Sequence, residues 1–263
     1  MMLLRGAVFT VFFYVWTAFM AVAGSPALPG PSRPALGVAN FWLAGVHRGL
    51  AVLAGVRHEI RGRENLPEGP AIIAAKHQSA WDTLIFHPLF WNPAFVLKKE
   101  LTHIPLFGRY LLKAGCIAVD RAAGSKALRH MVAGAEHALA HGQWIVIFPE
   151  GTRMPPGQHG RHHPGVHALY SRLNVPVVPV AVNSGLFWGR HKVVKRPGTI
   201  TLEFLPPIEP GLDRTTFTET LRARTEEATR RLEAEARERH PWLPRTDAAA
   251  DPEGGKPPAE GAS

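Results

Sequence analysis

Apolar residues follow two different patterns along the chain. Between residues 6 and 24 there is no charge, and Val8, Phe9, Phe12, Phe13, Tyr14, Val15, Trp16, Phe19 and Met20 make the stretch apolar and aromatic. It prefers lipid to water, although it is marginal against the roughly 20 apolar residues that a membrane span needs. Three readings compete: a retained anchor or half-inserted helix, a signal sequence cleaved at the Ala-x-Ala form of Ala21-Val22-Ala23 behind Arg5, and a buried core helix. The anchor is preferred. Pro26, Pro29, Pro31 and Pro34 predict a turn, and a second apolar helix follows over 35–56, broken by His47 and Arg48. The pair predicts a helical hairpin lying against a bilayer, with the alternative that the second helix covers the sheet of the next domain.

From Arg57 onward the pattern changes to short apolar runs alternating with segments of helical periodicity. Strands are predicted at 71–75, 94–97, 115–119, 144–148, 175–182 and 199–205, and helices at 81–90, 107–113, 125–141, 165–172 and 216–240. The fold class expected is therefore α/β: a central mixed, largely parallel sheet flanked by helices, with the N-terminal membrane-associated hairpin attached. The corresponding division is a hairpin segment over 1–57, a main domain over 58–243 and a disordered tail over 244–263, where Pro, Ala, Gly, Asp and Glu dominate. In the last helix Arg222, Glu226, Arg230, Glu233 and Arg237 lie near i,i+4 spacing, which reads as a solvated cover helix whose charges are not a site.

Composition narrows the partners. The chain has 263 residues, 46% of them hydrophobic, a formal charge of +9 and a pI near 10.2. Such a charge calls for nucleic acid, an acidic membrane surface or a phosphorylated substrate. The apolar N-terminus favours the membrane. Phe187-Trp188-Gly189-Arg190-His191-Lys192 is the one stretch in which basic and aromatic residues interleave as nucleic-acid binders require, and it suits an interfacial loop equally well. Cys116 is the single cysteine, so neither an intramolecular disulfide nor a cysteine metal cluster can form.

Candidate chemistry gathers at the ends of predicted strands, where α/β folds place their sites. His77 follows the first strand and Asp82 lies five residues on. Five helical steps leave two side chains about 140° apart, so the two cannot share a helix face. Ser79-x-x-Asp82 has the form of a capping box, which puts His77 in the turn before the helix and Asp82 in its first turn. A carboxylate on one imidazole nitrogen fixes the tautomer of a general base. Taken alone, the pair equally describes a turn histidine and a capping aspartate. Lys98 and Lys99 end the next strand and suit a phosphate or plain solvation. The third cluster runs from Gly115 to Arg121, where the arginine has a choice between phosphate and Asp120. The fourth is Phe148-Pro149-Glu150-Gly151-Thr152-Arg153, a carboxylate, a flexible glycine and a guanidinium at one strand end. Ser79 is read as a cap rather than a nucleophile, and Cys116 as a small core residue. His159, His162, His163 and His167 sit in a basic loop without nearby Asp, Glu or Cys, so they are not read as a metal site; the functional alternative is a loop contacting phosphates or lipid head groups.

In this order the clusters resemble the glycerolipid acyltransferase family, specifically the 1-acyl-sn-glycerol-3-phosphate acyltransferases. His77-x4-Asp82 is similar to the first family motif, Gly115 through Arg121 to the second, Phe148 through Arg153 to the third, and Val175-Pro176-Val177-Val178-Pro179-Val180 to the fourth. The resemblance covers about residues 57–207. It implies transfer of an acyl chain from a thioester of coenzyme A or acyl carrier protein to the sn-2 hydroxyl of lysophosphatidic acid, giving phosphatidic acid. By the same resemblance His77 is the base and Asp82 its orienter. Lys98 and Arg153 hold the acceptor phosphate, Lys99 and Arg121 add positive potential, and Gly115, Glu150, Gly151 and Thr152 complete the acceptor site. No metal or other cofactor is implied. The location implied is the inner membrane with the catalytic domain facing the cytosol. The rival readings are the same chemistry on another lysolipid or on glycerol-3-phosphate, and a non-catalytic basic domain that binds membrane or nucleic acid.

Overall fold

The structure, a computed structural model, describes residues 1–190 and 192–244. The tail expected over 244–263 lies, from residue 245 on, outside the described residues. The uncharged first segment forms α1 (Met2–Ala23), and after the proline-rich turn α2 (Ser32–Gly49) continues through a wider-wound turn at Leu50–Ala54. Gly55, at φ +71°, ends it, and Val56 opens β1 (Val56–Arg61). That strand was absent from the expected set and crosses the division expected at 57/58. Arg57, Glu59 and Arg61 hide its pattern, as suits an edge strand protected by charge.

Next come β2 (Ile72–Ala75), α3 (Trp81–Leu84), α4 (Phe86–Phe90), β3 (Ala94–Lys98), α5 (Phe107–Lys113), β4 (Ile117–Val119) and α6 (Gly124–Ala140). The chain then gives β5 (Ile145–Ile147), α7 (Pro164–Leu173), β6 (Val177–Val182), α8 (Ser184–Phe187), β7 (Gly198–Phe204) and α9 (Arg214–Arg239). The single helix expected over 81–90 is two. Pro88 has no N–H to give, and its ring collides with the carbonyl four residues back, at Leu84, where α3 stops.

The sheet has seven strands in the order β1-β7-β6-β2-β5-β3-β4, parallel throughout except where β7 runs against β6. β2, β5 and β6 are buried at every position, which is why they read as unbroken apolar runs. Alternate residues of β2 face opposite sides. Ile73 and Ala75 join Leu43, Val46 and Phe9 of the hairpin, while Ile72 and Ala74 join Met131 of α6, Leu169 of α7 and Phe217 of α9. Because β2, β3, β4, β5 and β6 point the same way, His77, Lys98, Arg121, the 148–153 segment and Ser184 all emerge at one sheet edge.

The hairpin resolves part of its own ambiguity. Its inner side is core, so α2 does cover the sheet. Its outer side leaves Val8, Val11, Val15, Phe19, Val22, Phe41 and Val52 exposed, so α1 is not a buried core helix. Both helices are long and apolar enough to cross a membrane. Their mutual packing depends on Gly45 and Gly49: a Cβ at either would stand 2.4 Å from the Trp16 indole or 2.2 Å from the Phe12 ring.

Candidate active site

The turn after β2 is held from both ends. Asp82, with no exposed surface, accepts through Oδ2 from the backbone N–H groups of Gln78 at 2.7 Å and Ser79 at 2.8 Å, and it meets His77 Nδ1 at 3.0 Å. Its Oδ1 accepts from the Ser184 hydroxyl. In return the Ser79 hydroxyl accepts from Trp81 N at 3.1 Å. The N-cap of α3 is Ala80, without a side-chain cap bond, and not the expected Ser79; the Asp82 carboxylate instead closes the turn and orients His77. Since Asp82 only accepts, His77 Nδ1 carries the proton and Nε2 keeps its lone pair. Phe148 stacks on the imidazole with centroids 4.1 Å apart, so the ring has one setting.

His77 lines a cavity of about 810 Å³. One wall is the hairpin, through Met20, Ala21, Val38, Ala39 and Trp42; other walls come from β3, α5 and α6, including Phe107, Leu111 and Leu128. The lining also includes the basic side chains Lys98, Arg121, Arg153 and Arg190, together with His163. No carboxylate lines the cavity among the described residues. Arg153 is half-buried; burial lowers its affinity for a proton, the nearby Arg190 charge lowers it further, and Asp82 partly offsets both.

Several expected roles change. Gly151, Thr152 and Arg153 line the cavity, but Glu150 does not shape it. Glu150 is 3% exposed and points backward, where Oε1 accepts from Lys76 Nζ at 2.6 Å and Oε2 from the backbone N–H of His77 at 3.2 Å. A carboxylate beside a buried ammonium cannot turn toward an anionic ligand. Lys99 is drawn off to Asp120 at 3.6 Å on the surface. Gly115 is a turn residue at φ +72°, facing the Gln143 side chain and not the cavity. Arg121 passes over its neighbour Asp120 and donates to the Gly151 carbonyl at 3.0 Å.

Behind the turn lies a network that sequence reasoning missed. Lys76 Nζ also donates to Glu226 Oε1 at 2.8 Å and to the Gln158 carbonyl at 3.0 Å. Gln78 Nε2 donates to Glu233 Oε1 at 2.8 Å while its Oε1 accepts from Gly185 N at 3.0 Å. The two residues flanking His77 are thus both gripped by α9, and the reading of α9 charges as solvated fails for Glu226 and Glu233. The signal was present: these carboxylates share a buried face with Thr225, Ala228, Thr229, Leu232 and Ala236. Glu226 also pairs with His159, so that loop does have a carboxylate neighbour. No group of three or more metal-ligating side chains is assembled among the described residues.

The bland alternatives shrink accordingly. Ser79 is fully buried with its hydroxyl engaged, and burial pushes the Cys116 thiol up to about 11, so neither is a ready nucleophile. Phe187 and Trp188 are 0% and 9% exposed, so neither of these rings offers a face on which a base could stack.

The chain is similar to known proteins. The Acyltransferase family model matches residues 57–183, which contain His77, Asp82, Lys98, Arg121 and Arg153. The chain is an acyltransferase. A 1-acyl-sn-glycerol-3-phosphate acyltransferase of Pseudomonas aeruginosa is 37% identical over 212 residues, 76% of this chain and 80% of that protein. The human 1-acyl-sn-glycerol-3-phosphate acyltransferase alpha is 28% identical over 200 residues, 75% of this chain and 70% of that one. The crystal structure of a 1-acyl-sn-glycerophosphate acyltransferase from Thermotoga maritima matches with a TM-score of 0.69 at 21% identity, over 89% of this chain and 100% of that one, which supports the fold. The chain belongs to the glycerolipid acyltransferase family.

Proposed function

We propose that the protein moves an acyl chain from a thioester of coenzyme A or acyl carrier protein to the sn-2 hydroxyl of lysophosphatidic acid, giving phosphatidic acid. The observation that carries this is one cavity lined by an oriented imidazole, by apolar residues and by guanidinium groups that have no carboxylate partner among the described residues. His77 Nε2 takes the acceptor hydroxyl proton as the oxygen attacks the thioester carbonyl, and Asp82 stabilises the imidazolium. The amides of Thr152 and Arg153, which have no acceptor among the described residues, are available for the thioester oxygen as it gains charge. Collapse of the tetrahedral intermediate expels the thiolate, which takes the proton from His77.

Arg153 and Lys98 hold the phosphate, and the apolar chamber takes acyl chain. This scheme calls for no metal and no covalent enzyme intermediate. Residues 56–243, with the hairpin as one wall of the cavity, act as the catalytic unit, and the hairpin seats it on the cytosolic face of the inner membrane, where the net positive charge favours anionic lipid.

The deciding experiment assays the purified full chain with lysophosphatidic acid, other lysolipids and glycerol-3-phosphate, each against acyl-CoA and acyl-ACP. Preferred turnover of lysophosphatidic acid, lost in His77→Ala, supports the reading. Equal rates on acceptors without phosphate would overturn the phosphate role, and equal or better rates on glycerol-3-phosphate would move the acceptor to that molecule.

A further inference from the structure

We infer that Arg190 is a second guanidinium for the acceptor phosphate, delivered to the cavity by a loop moulded on helix α1. The inference rests on the acceptor reading above. Arg190 lies outside the span matched by the family model, in the connection between α8 and β7. It lines the same cavity as His77 and Arg153.

An exposed arginine is ordinarily a solvated one, and two observations set this residue apart. First, its neighbours in the loop are occupied. Lys195 Nζ donates to the carbonyls of Lys192 and Val193 at 2.7 and 3.1 Å, and Arg196 donates to the Leu186 carbonyl at 3.4 Å. Arg190 makes no hydrogen bond or ion pair with any described residue. It stands instead close enough to Arg153 to disfavour that residue's charge. Two guanidinium groups facing one cavity without a carboxylate repel each other, and a phosphate monoester, with about −1.5 to −2 charge and three acceptor oxygens, satisfies both.

Second, the loop is built to hold the residue there. Trp188 is met edge-on by Phe9 at 5.2 Å and Phe13 at 5.9 Å, both from α1, and Lys195 lies 5.3 Å over its ring. Gly6 allows the two backbones to touch: a Cβ there would stand 2.4 Å from the Val193 carbonyl oxygen and 2.8 Å from Lys195 N. The hairpin thus does more than seat the enzyme; it shapes the acceptor site.

The test compares Arg190→Ala, Arg190→Lys and Arg153→Ala in the full chain. In Arg190→Ala the KM for lysophosphatidic acid should rise about tenfold or more, the scale of one lost charge-assisted hydrogen bond, with kcat changed less than about threefold and the KM for acyl-CoA unmoved. Arg190→Lys should recover part of the loss. Glycerol-3-phosphate, used as a soluble probe, should raise the Tm of the wild type and raise it less in Arg190→Ala. A normal KM in Arg190→Ala beside a raised one in Arg153→Ala sinks this inference and leaves the acceptor reading intact. Normal values in both variants sink the acceptor reading itself. A rise confined to the KM for acyl-CoA would assign Arg190 to the donor and overturn the inference. Gly6→Val should show the same KM-weighted defect; should it fail to fold, the Arg190 variants decide alone.

Discussion

His77 stands between two sets of charges that obey opposite rules. Behind it, Lys76, Glu150 and Glu226 are matched to one another, and the Lys76 and Glu150 side chains are each 1% exposed. In front of it, Arg153 and Arg190 face a cavity that offers them no carboxylate among the described residues. Ions taken out of water persist only when paired, so the rear set is complete without substrate and serves to hold the turn. The front cations keep some contact with water, which lets them wait for an anion. On the proposed function, positioning and binding are separated by depth.

The comparison can be broken in order of size. His77→Ala should remove acyl transfer by a factor on the order of 10² to 10⁴ or more while leaving the cooperative unfolding transition in place, because a turn histidine at a strand end does not hold the core. Near wild-type turnover in a folded variant would end its role as base. Lys76→Met should be the costliest substitution for folding, about 3 to 5 kcal/mol by denaturant titration, since it strands two carboxylates in the interior. Arg153→Ala should do the reverse: about 1.5 to 3 kcal/mol lost in acceptor binding, read as a raised KM, with no loss of stability. A stability loss in Arg153→Ala that matched Lys76→Met would erase the distinction between the two sets.

Smaller effects sharpen the rear side. Burial pushes His162 down to about 4, with Glu226 opposing and Lys76 reinforcing the shift. The unfolded imidazole titrates near 6.5, so the unfolded chain binds more protons between the two values. Stability from this group is present above about pH 6.5 and lost as the pH falls toward 4. His162→Gln should flatten that limb of a Tm profile; an unchanged slope would show that His162 does not control it. Smallest of all, Cys116→Ala should leave turnover within about twofold, since the thiol is held protonated and takes no step.

How legible the protein was in its sequence depended on how locally each residue acts. Strands such as β2, β5 and β6 were readable because a parallel strand covered on both faces must be apolar at every position. β1 was not, because at the sheet edge its charges alternate with its core contacts. The dyad was legible for a geometrical reason: His77 and Asp82 could not share a helix, so one had to lie in the turn. Glu150 was assigned to the cavity because its neighbours Gly151, Thr152 and Arg153 are there, yet which way a carboxylate turns depends on Lys76, far back in the chain. Glu226 and Glu233 were lost among surface charges of α9. Their meaning exists only after α9 packs on β6. Arg190 appeared in the sequence as an interfacial basic residue, and only the cavity shows which charge it faces.

The grip of α9 on Lys76 and Gln78 also bears on the order in which the protein is made. A nascent chain can already contain His77, Asp82, Arg153 and Arg190 while Glu226 and Glu233 have yet to be translated. In that interval Lys76 has one carboxylate instead of two, and the Gln78 amide lacks the partner that pins it. The residues that look finished in a growing polypeptide are therefore not yet held. On the proposed mechanism, competence for acyl transfer should arrive only with α9, after the histidine has been made.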